Sequence, residues 1–414
     1  MTEAASRLHR TLFGSGVLLG LISEQVVLFA VPLLIFQNTK EVSSLGFAFA
    51  LEWLPSLIAY PFAGLVADRD GGARLFSRVM GIRGAVLLIV LLVCATESSW
   101  TTGALMTGGA VLSIFVAPTR MSVEKMVPQL AKGDQVAPTQ ALVQNMELLA
   151  MALGPALAML AAAVLGKLWL LAVAAGAFGL GAAAWLPLPR GPREVSESSA
   201  RQNLADLAMG WRLLVGNRPV LLLGILNFSI NLVFATLLSA NAALVTGVFH
   251  APDSAYGLLN TVVGIIGLLN LLLIPKLLRR FGVGMIGATG FVLLCCALLL
   301  AGVAPSYPVY ACGFVAALIG DALYNIYNRT QRLKVIPQEH LGKIMGPFYL
   351  LNLLSMPIAG LVVGGAASTI GPQSLVTVLT VALCLFGAVF LPLTMRSFRQ
   401  ALTAREPEPA GVPA

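Results

Sequence analysis

Charge is what this sequence has least of. Asp, Glu, Lys and Arg make up 11% of its 414 residues, while 58% are hydrophobic; a soluble globular domain carries roughly 25% charged residues. A chain so poor in charge has lipid as its main solvent. Histidine is scarcer still. There are three, His9, His250 and His340, and none stands among the polar partners that nucleophilic catalysis or a metal centre requires. The five cysteines, Cys94, Cys295, Cys296, Cys312 and Cys384, lie inside apolar stretches without metal-ligand spacing, and read as small packing residues. No Gly-x-x-x-x-Gly-Lys-Ser/Thr loop occurs, which argues against ATP as the energy source. The expectation is a chain without enzymatic apparatus, cofactor or metal. A net charge of +8 would suit nucleic acid. The basic residues, however, sit in short loops between apolar runs, a pattern that orients a membrane protein, so no nucleic-acid partner is expected.

What is present is length in apolar runs. Twelve can be read, at 12–36, 44–67, 79–97, 101–122, 138–163, 168–188, 219–246, 256–276, 284–303, 307–328, 343–367 and 373–395. A spanning helix takes about 20 apolar residues, and runs this long are not barrel strands. The first run is too long for a signal peptide and lacks a small-residue cleavage site, so it reads as span 1. The fold class expected is an all-α polytopic membrane protein, with twelve transmembrane helices in two six-helix pseudo-symmetric bundles. Of the 26 basic residues, all but Lys40 and Lys167 fall on one side of that arrangement. The bias places both termini in the cytoplasm.

The expected organisation is an N-terminal bundle at 1–188, a cytoplasmic linker at 189–218, a C-terminal bundle at 219–395 and a disordered polar tail at 396–414. The linker opens with Pro187, Pro189 and Pro192 and then reads as a short amphipathic helix from Asn203 to Val215, suited to the membrane interface. The halves echo each other weakly. Arg69-Asp70-Gly71 after span 2 matches Arg280-Phe281-Gly282 after span 8, and Gly154-Pro155 in span 5 has a counterpart in Met356-Pro357 in span 11. Such symmetry fits a transporter built from repeats.

The stretch Gly64-Leu-Val-Ala-Asp68-Arg69-Asp-Gly71 resembles the loop 2–3 signature of the major facilitator superfamily. Here Gly72-Ala73 displaces the usual basic pair, so that Arg74 is the first of it. The closer resemblance is to the enterobactin-exporter and macrolide-efflux branch. It rests on Ala30 to Gln37, Leu51 to Ser56, Ala117 to Arg120, Leu153 to Pro155, and Gln331 to Gly342. The resemblance covers nearly the whole chain and implies a monomer in a bacterial cytoplasmic (inner) membrane. It also implies a conformational latch made by Gly64, Asp68, Arg69, Gly71 and Arg74. The residues fit that role, since Asp68 ends a helix where a neighbouring helix N-terminus or cation can meet it, and the glycines permit a tight turn. The plainer reading is a charged loop that sets topology.

Acids at bilayer depth are costly and usually face an interior or a cavity. Glu24 in span 1, Glu52 in span 2, Glu147 in span 5 and Asp321 in span 10 qualify. Glu24, Asp321 and Glu147 are the candidates for proton coupling. Glu24 leads because it lies near midspan, and no cation is expected at its depth. The competing reading is a protonated Glu bonded to a neighbouring helix. Glu52 and Pro55 read as structural, the acid bonding backbone that the proline frees; Gly154 and Pro155 are grouped with them. Polar residues also form stripes. Asp321, Tyr324, Asn325 and Asn328 share a face of span 10, and Asn227, Asn231, Phe234 and Asn241 a face of span 7. Two readings compete for them, lining of a substrate cavity and hydrogen bonding between helices. The substrate-cavity candidates are Asn227, Asn231, Phe234, Tyr324, Asn325, Tyr349 and Asn352.

The function expected is a secondary transporter that exports a small amphiphilic molecule by alternating access, coupled to inward proton flow. Its partners are the small-molecule substrate, protons and the bilayer. The cargo classes open are drug-like compounds, metabolites and siderophores. With only acids deep in the membrane, the cavity should repel a bare polyanion. An importer of the same fold is the first rival. A membrane sensor or assembly factor that moves nothing is the second.

Overall fold

The computed structural model describes residues 3–70, 72–96, 99–131, 136–189 and 200–403, and among these it contains helices and no strand. Among the described residues, ten helical stretches are long and apolar enough to cross a membrane. A shorter apolar helix, α7 (Leu170–Trp185), adds to them, as does α10 (Asp253–Arg280), which covers the expected span 8. The fold class read from the sequence holds: this is an all-α polytopic membrane protein.

The chain begins with α1 (Glu3–Thr39), α2 (Val42–Asp70) and α3 (Ala73–Ala95). Gly72, at φ 80°, makes the turn into α3; a side chain there would be strained. The fourth span is broken into α4 (Thr101–Ile114) and α5 (Val116–Leu130). The cause lies four residues on, where Pro118 has no N–H to give to the Ile114 carbonyl. Next come α6 (Val136–Leu165), α7 and α8 (Ala200–Gly216). Then α9 (Arg218–Ala242) runs into a π-helical segment, Ala243–Val248, whose register continues in a Phe249 N–H bond to the Leu244 carbonyl at 2.9 Å. After α10 follow α11 (Val283–Gly302) and α12 (Tyr307–Val335). The eleventh span is broken like the fourth, into α13 (Gln338–Leu353) and α14 (Ser355–Ile370). Here Pro357 withholds the bond from Leu353. Last is α15 (Pro372–Thr403), which runs past the expected end of span 12; the tail from 404 lies outside the described residues.

Two compact units emerge. One comprises Met1–Ala200, Ser239–Leu269 and Gly360–Pro372, the other Arg201–Leu238, Asn270–Ala359 and Gln373–Ala414. The core of the first is anchored by Trp185, which stacks on Phe76 with centroids 3.7 Å apart and on Phe13 at 5.2 Å. Its Nε1 donates to the Phe13 carbonyl at 3.1 Å. In the second, α11 and α12 pack closely, with Tyr327 against Gly287 and Leu294 against Gly320.

Candidate functional site

A polar cavity of about 140 Å³ opens inside the first unit. From α1 it takes Val17, Gly20, Leu21 and Glu24, spaced i, i+3, i+4 and i+7, which is one helix face. From α5 come Val116, Thr119, Arg120, Val123 and Glu124, again one face. Tyr60 enters from α2, Phe76 and Met80 from α3, and Val143 and Glu147 from α6. The floor is apolar and the polar groups are few and convergent, as in small-molecule sites, although the volume is below the ~300–1,000 Å³ of a complete ligand pocket. It suits one end of a cargo molecule.

Glu24 is not alone at its depth. Arg83 reaches it from α3 with an N–O separation of 3.6 Å. This corrects the expectation that no cation lies deep in the membrane. Span 3 begins at Ala73 rather than 79, which puts Arg83 about 15 Å along the helix at 1.5 Å per residue. The Arg83 side chain is 3% exposed, and its guanidinium lies over the Phe178 ring at 4.4 Å from the centroid. Arg120 faces inward as well, within electrostatic reach of Tyr60, Glu24 and Glu147. Glu147 is on the cavity wall. Glu52 is half-buried on α2, within electrostatic reach of Glu24 and of Tyr256 on α10. Pro55 leaves α2 unbroken. Pro155 lies inside α6, beside Gly154, where a Cβ would come within 2.3 Å of the Gln25 Cβ; glycine is what lets α6 approach α1 there.

The remaining cavity candidates lie in the second unit, where most are committed to protein neighbours. Asn328 donates to Asn227, and Asn227 to Asn352, each at 2.6 Å. Asn352 in turn donates to the Phe348 carbonyl at 2.6 Å. This ladder joins α9, α12 and α13, so Asn227 and Asn352 bond helix to helix. Asn325 donates to Asp321 at 2.9 Å. Tyr324 is 0% exposed, packed against Phe291 and Tyr327. Phe234 is half-buried near Phe314, with centroids 6.4 Å apart, and Asn231 is half-buried. Tyr349 is 58% exposed.

Within the first unit, two contacts tie helix ends near Lys167. Lys167 pairs with Asp253, and Gln37 donates to the same carboxylate at 3.1 Å. Below these, small residues allow backbones to touch. A Cβ on Gly46 would fall 2.1 Å from the Gly364 nitrogen, and one on Gly264 would fall 2.3 Å from the Ala152 Cα. Phe36 fills the space over Gly247.

Of the expected latch, Gly71 lies outside the described residues, as do the Asp68 and Arg69 side chains and the surroundings of Gly64. The α2 backbone is helical through Asp70, and Arg74 is half-buried in the first turn of α3. Tyr60 and Glu124 were not singled out from the sequence; the recurrence 116, 119, 120, 123, 124 was the available signal for Glu124. Among the described residues no group of His, Cys, Asp and Glu could hold a metal ion.

A charged cavity enclosed by lipid-facing helices defines a multi-pass membrane transporter. The match to the family model of the Major Facilitator Superfamily over residues 13–360 makes this chain a member of that superfamily. No curated protein matches the sequence. Solved structures do. A point mutant of the nucleoside transporter NupG superposes with a TM-score of 0.77 at 15% identity, covering 94% of this chain and 100% of that one. A bacterial homologue of the lysosomal transporter Spinster, inward-facing and unoccupied, gives 0.71 at 14% identity over 97% and 99%. A bacterial homologue of the iron transporter ferroportin, inward-facing, gives 0.72 at 15% identity over 95% and 100%. At such identities the likeness is one of fold.

Proposed function

We propose that this protein is a secondary transporter that exports a small amphiphilic molecule across a bacterial cytoplasmic membrane by alternating access, in exchange for protons. The observation that carries the reading is the cavity in which Glu24, Glu124, Glu147 and Arg120 converge among apolar helices. Ionisable groups at that depth are expensive to keep and mark substrate or proton paths. Glu147 and Glu24 carry the proton exchange in this reading, with Asp321 as a further acid in the second unit. The six-plus-six organisation and the linker at 189–218 belong to the same proposal, and so do cytoplasmic termini, which follow from the basic-residue bias. The cargo is drug-like or a neutral metabolite in preference to a polyanionic siderophore. Arg83 and Arg120, which the sequence puts near cytoplasmic helix ends where they can receive an anionic cargo, soften that preference, because they lie beside the cavity acids. Export is favoured over import by the resemblance to efflux proteins.

The test is dye movement in inside-out membrane vesicles. An imposed pH gradient, acid inside, should drive accumulation of a fluorescent amphiphile such as ethidium when the protein is present. Accumulation that ignores the gradient would remove proton exchange. Gradient-driven movement only in the opposite sense would make the protein an importer.

A further inference from the structure

The second unit holds a group of polar atoms that the transport reading does not use. Tyr324 Oη, Tyr327 Oη, Asn328 Oδ1, Gln331 Oε1 and Arg332 Nε are buried and have no hydrogen-bond partner among the described residues. They fall at i, i+3, i+4, i+7 and i+8 along α12, one stripe of that helix. Asn328 Oδ1 and Gln331 Oε1 only accept, so an anion cannot meet them; the unmet donor at the end of the stripe is Arg332 Nε, and leaving a buried donor unmet is costly. The most telling is Arg332. It is 5% exposed, and its guanidinium lies in an aromatic slot, 4.3 Å from the Phe348 centroid and 5.5 Å from that of Tyr349. Among the described residues no carboxylate forms an ion pair with it. The charged neighbour within its reach is a second cation, Arg329, one turn earlier. Asp321, bonded to Asn325, lies within electrostatic reach of Arg329. The C-terminus of α12 favours cations, but with only about half a charge. Arg329 is exposed and has that acid in reach; the buried Arg332 is left without an ion-pair partner among the described residues.

Depth says where one would come from. Arg332 is some 38 Å along α12 from Tyr307 at 1.5 Å per residue. The hydrocarbon core is about 30 Å thick. Arg332 therefore sits at the level of the lipid headgroups, on the side where the basic residues gather. Basic pockets between helices on that side bind anionic headgroups, and a guanidinium fork matches the geometry of a phosphate oxygen pair. The slot between Phe348 and Tyr349 holds the fork in one plane; the Tyr349 side chain bonds one part of it, and Nε is left unmet.

We infer that Arg332, with Arg329 beside it, forms a binding site for a phosphate-type oxyanion at the corner between α12 and α13, filled by the headgroup of an anionic lipid or by a free phosphate. The site is separate from the cavity of the first unit. It does not depend on the transport assignment.

The test uses the full-length protein in a neutral detergent and follows its thermal unfolding. Three additions are compared: phosphatidylglycerol, phosphatidylcholine, and inorganic phosphate against chloride at matched ionic strength. Saturable stabilisation by phosphatidylglycerol and not phosphatidylcholine supports a lipid occupant. Equal stabilisation by inorganic phosphate supports a free anion. In either case Arg332→Gln should weaken the apparent affinity about ten-fold or more, and Arg332→Lys, which keeps charge without the fork, should fall between. Stabilisation that does not distinguish phosphatidylglycerol from phosphatidylcholine, or phosphate from chloride, overturns the inference. So does an Arg332→Gln protein that responds as the wild type does. Should Arg332→Gln not fold, the wild-type arms and Arg332→Lys decide.

Discussion

Replacing Glu24 with Gln removes the acid that faces Arg83 and leaves the guanidinium where it is. At 3.6 Å and an effective dielectric of about 20, the attraction between the two charges is about 5 kcal/mol. Most of that is offset by the cost of taking Arg83 out of water, so the net worth of the pair is small. The single substitution forfeits the attraction and keeps the desolvation cost. Breaking a buried pair from one side costs about 3–5 kcal/mol. The lower end applies here, because the Glu24 side chain is 26% exposed. A second substitution, Arg83→Met, removes the stranded charge and keeps the apolar stem over Phe178. Glu24→Gln should therefore lower the unfolding temperature of the detergent-purified protein by several degrees, and Glu24→Gln with Arg83→Met should recover most of the loss. Thermal scans with a thiol-reactive dye, in a background that keeps the buried Cys94 as its one cysteine, would follow this. A single variant as stable as wild type, or a double variant less stable than the single one, would refute the reasoning.

Other outcomes follow from the same geometry. In liposomes, Glu147→Gln should abolish transport driven by a pH gradient while cargo binding persists; unchanged gradient-driven flux would remove Glu147 from the proton path. Exchanging the charges at Lys167 and Asp253 should restore a transport rate that either reversal alone reduces by about three-fold or more, as expected for a partly exposed pair worth up to ~1 kcal/mol; absence of rescue would mean the contact is incidental. Cysteines placed at Ser254 and Ser368 should react with an impermeant thiol reagent from outside, and one at Ser198 should not; the reverse pattern would invert the topology. Asp68→Asn should slow transport strongly without loss of membrane insertion, and a wild-type rate would leave that segment as a plain charged loop.

The spans were legible because lipid imposes a minimum length of apolar helix, and few other sequences satisfy it twelve times over. The breaks at Ile114 and Leu353 were also within reach, since Pro118 and Pro357 each cancel one backbone bond; apolarity continues through both, and the runs read as unbroken. Depth was harder. Arg83 lies after Arg74 and Arg78, and starting the span at 79 made it one more cytoplasmic cation. The Asn stripes show the limit of periodicity. Spacing places Asn227 and Asn328 on definite faces, but an asparagine bonds as readily to another asparagine as to a substrate, and only the 2.6 Å contacts assign these two. Glu124 and Tyr60 escaped because each lies near a span end, where a polar residue is ordinary.

The break at Phe115 also has a mechanical side. A helix that loses one backbone bond is softer at that point than along its length, so α5 behaves as a lever pivoted at the end of α4. Its 15 residues make an arm of about 22 Å at 1.5 Å per residue. A tilt of some 10° at the pivot would sweep the far end through about 4 Å on that arm. Thr119, Arg120 and Glu124 ride closer to the pivot and would travel through correspondingly shorter arcs. A small rotation at one softened peptide would thus reposition three polar groups of the cavity wall together, as one rigid piece.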